Sequence, residues 1–319
     1  MMENPGGVPD GARITVCEVG PRDGFQNEKR FIPTERKIEI VNALFASGIR
    51  HMQVTSFVSP RAVPQLADAE RVLAEMDRPP DAVISALIPN LRGAERAAAA
   101  GVDAVHTVVS ASETHNLKNV NRSVATSLED FEAVFATMAK AGIAVEGGIA
   151  TAFGCPFEGV VPAEQVARIA RRYRDLGASA VSLGDTTGMA TPATVRAAIR
   201  AIRQEAPGLP IHLHFHNTRG VGLACVMTGL AEGVTRYDGA VGGLGGCPFA
   251  AGATGNISTE DLVYLLGESG YRTGIDLDRL IAAARLTQDV LGRELPGQVM
   301  KAGPRLRRFD PGLTATAAG

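Results

Sequence analysis

The residues best suited to chemistry include two histidines in the run "HLHFHN". His214 and His216 are two positions apart, and side chains at that spacing on a β-strand point to the same face. Two imidazoles on one face can hold a cation, although histidines at the rim of a core often serve only in packing. His212 lies deeper in the same run, and we expect it to pack with a hydrogen bond to its ring. The spacing favours a metal site where this run ends.

A second group, in "EVGPRDG", carries charges of both signs. Asp23 offers a hard anionic oxygen, and Arg22 offers a permanent planar cation with several donors. A simple turn is the alternative, because Pro21, Asp23 and Gly24 are all common turn residues. Two imidazoles, a carboxylate and an amide oxygen would suit Mg²⁺ or Mn²⁺, with open positions for substrate. A closed zinc site is disfavoured, since no cysteine lies at ligand spacing.

A third group is the glycine-dense stretch "AVGGLGGCPFAAGATGN" at 240–256. Glycine is costly to order, and the stretch matches neither of the common phosphate-binding glycine patterns. Pro248 and Phe249 favour a mobile lid over a floppy connection. A lid can bring the thiol of Cys247 to a substrate only when it closes. The alternative is that Cys247 is a small buried apolar residue.

The elements that must position these residues alternate along the whole chain. Short β-branched runs, the expected strands, alternate with Ala-rich helical patterns, several of which end in glycine. The eight strand segments are "ITVCEV", "HMQVTSF", "AVISALI", "AVHTVVS", "AVEGGIAT", "AVSLGD", "IHLHFH" and "YDGAVGG". Eight such units predict an α/β fold, a (β/α)8 TIM barrel, with a doubly wound open sheet as the alternative. Extra helices are predicted after the eighth strand.

The barrel prediction fixes where functional side chains should lie. Residues 1–13 are expected to be a flexible N-terminus, 14–300 the catalytic barrel with its additional C-terminal helices, and 301–319 a tail. Catalytic groups of TIM barrels lie at the carboxyl ends of the strands. Asp185 closes the sixth predicted strand, Gln53 lies in the second and Ser56 near its end. These three residues therefore join the candidates.

Composition narrows the classes of function. The chain has 319 residues and a net charge of −2, and it has no long basic run, so nucleic-acid binding is disfavoured. No apolar leader or membrane span is apparent, which predicts a cytoplasmic protein without a membrane partner. The four cysteines have no CxxC spacing, which favours free thiols in a reducing compartment. They are Cys17, Cys155, Cys225 and Cys247.

Several motifs together resemble one family. These are "VCEVGPRDGFQNE", "TSFVSPRAVPQLADAE", "SLGDTTG", "HFHNTRG" and "GGLGGCPFAAGATGNISTEDLVYLL". They resemble the 3-hydroxy-3-methylglutaryl-CoA lyases, which are metal-dependent TIM-barrel enzymes, and the resemblance runs from about residue 14 to about residue 290. The runs "GPRDGFQNE" and "GLGGCPFAAGATGN" are highly specific, whereas the two histidines alone are not. The resemblance implies an acyl-CoA substrate, a divalent metal (Mg²⁺ or Mn²⁺) and a homodimer.

The resemblance also implies roles for individual residues. Arg22 would contact the thioester carbonyl, and Cys247 and Asp185 would take part in proton transfer. The reaction would split a 3-hydroxyacyl-CoA between C2 and C3, giving acetyl-CoA and acetoacetate. The implied metal ligands are Asp23, His214, His216 and Asn256.

The chain departs from the family pattern near the expected site. Gln53 stands where the lyases have a glutamate, and "HFHNTRG" has Asn217 and Arg219 where an acid and a non-basic residue are usual. We expect Gln53 and Arg219, with Ser56, to contact substrate, and the changes to tune the pocket for a related acyl-CoA.

The CoA portion has no clear motif. The loop "SASETHNLKNVNRS", with Lys118, Asn119 and Arg122, is a candidate for phosphate or pantetheine contact, and an ordinary solvated loop is the alternative.

Three other functions stay open at this point. One is a lyase for a different 3-hydroxyacyl-CoA, such as a citramalyl-CoA-like thioester. Another is a Claisen-type condensing synthase, although such enzymes usually carry a further C-terminal domain and little chain follows residue 290. A non-catalytic barrel is supported only by Gln53.

Overall fold

Eight parallel strands close into a barrel in the order β1 to β8 in the computed structural model, which describes residues 7–246 and 254–308. All eight predicted strands are present, and the TIM-barrel prediction is confirmed. The strands are β1 (Thr15–Glu18), β2 (His51–Ser56), β3 (Val83–Leu87), β4 (Ala104–Ser110), β5 (Ala144–Ala150), β6 (Ala180–Gly184), β7 (Ile211–His214) and β8 (Arg236–Gly239).

Helices cover the outside of the barrel and continue beyond β8, as predicted. Caps mark many of their ends: Ser123, for example, accepts a hydrogen bond from Thr126 N, and Gly142 and Gly177 are left-handed at C-termini. The helices are α1 (Thr34–Ala46), α2 (Ala69–Glu75), α3 (Leu91–Ala99), α4 (Glu113–Val120), α5 (Val124–Ala141), α6 (Ala163–Leu176), α7 (Pro192–Glu205), α8 (Gly222–Ala231), α9 (Thr259–Glu268), α10 (Leu277–Leu291) and α11 (Val299–Ala302).

Two segments differ from the local sequence pattern. The run after β4, expected to be a loop, contains helix α4, because Ser112 caps it by accepting a hydrogen bond from His115 N. The seventh strand ends at His214 rather than at His216. His216 instead forms an isolated bridge with Asn256, which lies beyond β8. A long-range contact therefore decides where the seventh strand stops.

The N-terminal segment contacts the barrel where the structure describes it. Val8 is buried and its N–H donates to Leu230 O. The backbone of Arg13 forms an isolated β-bridge with the backbone of Arg272. The proposed division into segments 1–13, 14–300 and 301–319 stays a prediction. Among the described residues, no helix is long and apolar enough to cross a membrane.

Candidate active site and metal centre

A tight turn after β1 places two of the candidate residues side by side. Residues Gly20–Gly24 form a single wide helical turn in which the N–H of Asp23 donates to Val19 O at 2.7 Å. Gly20 has no room for a side chain, because a Cβ there would lie 2.7 Å from Glu18 Oε1. Glycine therefore allows the turn that puts Arg22 and Asp23 at the carboxyl end of the barrel.

Three of the predicted metal ligands converge although they are far apart in the chain. Asp23, His214 and His216 each offer a ligand atom, and these atoms lie within 4.8 Å of one another. Asp23 Oδ2 is 3.9 Å from Nε2 of both histidines. All three residues are buried. This arrangement could hold a metal ion.

Asn256 completes the group from the far end of the glycine-dense stretch. Its Nδ2 donates to Asp23 Oδ2 at 2.8 Å and to Leu244 O at 2.9 Å. The backbone on either side is pinned to the segment after β7, since Asn217 N donates to Gly255 O and Ile257 N to Phe215 O. Asn256 is thus held beside Asp23 and His216.

The unpaired atoms of this group fit a divalent cation. Asn256 Oδ1 is buried and has no hydrogen-bond partner in the described part of the chain, and Nε2 of each histidine faces Asp23 Oδ2. Such buried orphan acceptors are uncommon in proteins and call for an unseen partner. A carboxylate, an amide oxygen and two imidazoles form a donor set for a cation of intermediate hardness.

Burial and neighbouring charges shift the pKa values of the three titratable residues in this group in different directions. Burial alone would raise the pKa of Asp23, but the charge of Arg22 and the two histidines outweighs it and holds that pKa well below the usual range. Burial lowers the pKa of His216 to about 4, helped by nearby His214. The His216 ring is therefore neutral near pH 7 and has an electron pair to donate. Burial also disfavours charge on His214, but its bond to Asp238 and the nearby Asp23 raise its pKa.

Arg22 is held by two neighbours. Its Nε donates to Gln53 Oε1, and its Nη1 donates to Asp23 Oδ1. Gln53 is buried on β2, so its amide fixes the guanidinium from the barrel side. Ser56, at the end of the same strand, is buried, and its Oγ has no hydrogen-bond partner among the residues described.

Asp185 follows β6 in a setting suited to proton exchange. It is buried, and its Oδ1 accepts hydrogen bonds from Met189 N at 2.7 Å and Ala190 N at 2.9 Å. Burial raises the pKa of Asp185 to about 7, against the opposing effect of these bonds. A carboxyl group with such a pKa can both accept and release a proton near neutral pH.

The two other residues that depart from the family pattern, Arg219 and Asn217, form side-chain hydrogen bonds to backbone groups. Arg219 is exposed, and its Nη1 donates to Thr187 O at 3.1 Å and Gly188 O at 2.7 Å, in the loop that follows Asp185. Asn217 Oδ1 accepts from Gly222 N at 3.3 Å. Both side chains therefore support the loops around the site.

The remaining candidates lie elsewhere. Lys118 and Asn119 are exposed on α4, where Lys118 Nζ lies 5.1 Å from the centre of the Phe157 ring. Arg122 pairs with Asp130. The proposed roles of these residues stay predictions. Cys247 lies outside the described residues.

Two acidic residues beside the site were not predicted from the sequence. Asp238 on β8 lies with its Oδ2 3.1 Å from His214 Nδ1. Glu18 on β1 accepts hydrogen bonds from Gly20 N and Val241 N, which ties the first turn to the segment after β8. Each acid lies in an otherwise apolar strand segment, and burying an acid there is costly unless it has hydrogen-bond or ion-pair partners. That pattern was the available signal in the sequence.

The chain is similar to a family of known proteins over most of its length. The family model described as HMGL-like matches residues 13–287. The chain is 43% identical over 291 residues to hydroxymethylglutaryl-CoA lyase YngG of Bacillus subtilis, which covers 91% of this chain and 97% of that protein. It is 40% identical over 294 residues to the human mitochondrial hydroxymethylglutaryl-CoA lyase, covering 92% and 90% of the two chains.

Solved structures show the same similarity. An HMG-CoA lyase of Acinetobacter baumannii, solved in complex with coenzyme A and 3-methylmalate, superposes with a TM-score of 0.89 at 42% identity. The match covers 93% of this chain and 97% of that one. The carboxyl transferase domain of Rhizobium etli pyruvate carboxylase, at 18% identity and a TM-score of 0.69, shares the fold alone.

Proposed function

The chain belongs to the HMGL-like family, and from that premise we propose that it is a carbon–carbon lyase acting on 3-hydroxy-3-methylglutaryl-CoA. It cleaves this thioester to acetyl-CoA and acetoacetate. The observation that carries the proposal is the convergence of Asp23, His214 and His216 beside Arg22 at the carboxyl end of the barrel. A lyase of this type needs a cation site and a fixed positive charge next to each other.

The proposed cofactor is Mg²⁺ or Mn²⁺, held by Asp23, His214, His216 and Asn256. When bound, such a cation lowers the pKa of a nearby alcohol and helps to orient it. The orphan Oδ1 of Asn256 and the neutral ring of His216 support this assignment.

Arg22 stabilises the negative charge that develops when the C2–C3 bond breaks. The bond's electron pair moves onto the thioester, forming an enolate whose oxygen faces the guanidinium. Because Gln53 and Asp23 already hold Arg22 in place, little reorganisation is needed. A preorganised donor of this kind contributes about 3–4 kcal/mol to transition-state stabilisation.

Asp185 accepts the proton of the C3 hydroxyl as the carbonyl of acetoacetate forms. Its pKa of about 7 leaves a useful fraction ionised at neutral pH. The enolate carbon must then gain a proton to give acetyl-CoA. We assign that donation to Cys247.

Substrate contacts are proposed for residues around the same mouth. Gln53 on β2 accepts a hydrogen bond from Arg22, Ser56 is buried at the end of the same strand, and Arg219 supports the loop beside Asp185. Lys118 and Asn119 on α4 are proposed to contact the CoA portion, for which exposure and the positive charge of Lys118 are the support.

The direct test is acetoacetate release from 3-hydroxy-3-methylglutaryl-CoA with Mg²⁺ or Mn²⁺. A panel that includes citramalyl-CoA tests the substrate, and the methylglutaryl thioester is expected to give the highest kcat/KM. His216→Ala serves as the control that loses metal and activity together, and Cys247→Ser tests the proton donor. If no divalent metal supports acetoacetate release, the proposal is wrong.

We also propose a cytoplasmic homodimer. The described cysteines, Cys17, Cys155 and Cys225, are buried free thiols, which suits a reducing compartment. Light scattering coupled to size exclusion measures the assembly, and a monomeric mass would contradict the dimer.

A further inference from the structure

A carboxylate from the neighbouring strand contacts one of the proposed metal ligands. Strands β7 and β8 pair in parallel with His214 opposite Asp238. In that register Asp238 Oδ2 lies 3.1 Å from His214 Nδ1. The opposite ring nitrogen, Nε2, faces Asp23 Oδ2 at 3.9 Å. The two ring nitrogens of His214 therefore have separate partners.

This contact determines which nitrogen of His214 carries the proton. An ionised carboxylate has no hydrogen to donate, so Nδ1 must be the donor in the bond to Asp238. In the neutral ring Nε2 is then the nitrogen with a free electron pair. That nitrogen is the one directed at the cluster of Asp23 and His216.

His216 has no equivalent support. Its Nδ1 is buried and has no hydrogen-bond partner within residues 7–246 and 254–308. Its ring centre lies 5.3 Å from that of His214, so both rings face the same small space. The two imidazoles are therefore chemically unequal, although they are two positions apart on the chain.

We infer that Asp238 is a positioning residue for the metal centre: it holds His214 with Nε2 free and makes His214 the more strongly bound imidazole ligand. The inference rests on the proposed metal site. A carboxylate bonded to a ligating imidazole fixes the ring orientation and increases its basicity. Asp238 acts through His214 and has no role at the reacting atoms.

The barrel interior offers a control with a similar carboxylate–imidazole contact. Glu146 Oε2 lies 3.1 Å from Nδ1 of His212, so a second carboxylate lies beside a second histidine on β7. Glu146 is also paired with Arg236, and His212 is outside the metal cluster. Loss of the Glu146 carboxylate therefore perturbs a buried acid–histidine pair without touching a proposed ligand.

The test compares Mn²⁺ binding by the wild type, Asp238→Asn, Asp238→Ala and Glu146→Gln. Calorimetry or Mn²⁺ spectroscopy gives Kd at fixed pH without substrate. We expect Asp238→Ala to raise Kd by about 10- to 100-fold, and Glu146→Gln to leave it within about twofold. Asp238→Asn should lie between them, because its amide oxygen can still accept the Nδ1 proton but has no charge. Ring ¹⁵N spectra of the apo-protein should show His214 protonated at Nδ1 in the wild type and in Asp238→Asn.

The outcomes separate this inference from the function on which it rests. Unchanged Kd in both Asp238 variants, or an equal loss in Glu146→Gln, overturns the role of Asp238 and leaves the metal site intact. A wild type that binds no Mn²⁺ overturns the metal centre and this inference together. If Asp238→Ala does not fold, Asp238→Asn and the ring spectra decide.

Discussion

Replacing Asp185 with asparagine separates proton transfer from support of the loop after β6. The carboxyl Oδ1 accepts hydrogen bonds from Met189 N and Ala190 N at 2.7 and 2.9 Å. The carbonyl oxygen of an asparagine can accept both bonds, so the loop keeps its conformation. The substitution therefore removes the negative charge and the ability to take up a proton, and it keeps the hydrogen bonds to the loop.

Activity and stability should move in opposite directions. General acid–base catalysis contributes about 10²- to 10⁴-fold, so kcat should fall by that factor. Burial raises the pKa of Asp185 from 3.8 to about 7. The ionised side chain therefore costs the folded metal-free protein on the order of 4 kcal/mol. Asparagine avoids this cost, although its neutral hydrogen bonds are weaker. At pH 8 the metal-free variant should thus be at least as stable as the wild type.

The sign of the pH dependence follows from the raised pKa. Between about pH 4 and pH 7 the folded wild type retains a proton that the unfolded chain has lost, so its stability falls as the pH rises. The advantage of Asp185→Asn should therefore grow across this range and level off above pH 7. In the metal-loaded enzyme the activity limb should lie at or below pH 7, because a nearby cation favours the carboxylate.

The activity assay measures kcat from pH 5.5 to pH 9. Stability is measured on the metal-free protein by urea unfolding, with circular dichroism as the probe. Asp276→Asn is a suitable control, since Asp276 also accepts a backbone hydrogen bond, from Arg279 N, but caps α10 at the surface. The control should keep the activity of the wild type. If Asp185→Asn retains kcat within about tenfold and keeps the same pH limb, Asp185 is a loop support and the assigned proton transfer is refuted.

Three further predictions concern the metal, the glycine-dense stretch and a buried acid. Chelation of the metal should abolish acetoacetate release, and Mn²⁺ should restore it; activity that survives complete metal removal would contradict the assigned ligands. Gly255→Ala should weaken Mn²⁺ binding at least about tenfold, because a Cβ there would overlap the carbonyl oxygens of Gly243 and Leu244 and displace Asn256. Gly267→Ala, which meets no atom within 4 Å, is its control and should bind Mn²⁺ normally. Burial raises the pKa of Glu260 to about 8. Glu260→Gln should therefore gain stability relative to the wild type as the pH rises from 5 to 9, as measured by urea unfolding. If the two proteins differ in stability by the same amount at pH 5 and pH 9, Glu260 ionises normally.

Local sequence patterns predicted much of the fold and part of the site. The alternation of β-branched runs with helical stretches identified all eight strands, because strand and helix periodicity are properties of neighbouring residues. His214 and His216 were paired for the same reason, since their spacing alone suggested a common face. The turn residues around Asp23 were also visible, although they did not distinguish a ligand from an ordinary turn.

Local sequence patterns did not predict contacts between residues that are distant in the chain. Helix α4 replaced an expected loop, and β7 stopped early because His216 pairs with Asn256. The family resemblance, rather than spacing, pointed to Asn256. Asp238 was missed, because its contact with His214 depends on the register of β7 against β8.

The sequence by itself thus determined the barrel, the residue types of the proposed cation site and their order along the chain. Only the tertiary structure decided which oxygen and nitrogen atoms face one another. Asp23 and Asn256 are held together by a hydrogen bond across 233 positions of the chain. The physical reason is that closing a barrel fixes the register and stagger of all its strands together, and these relations set the positions of side chains at its mouth.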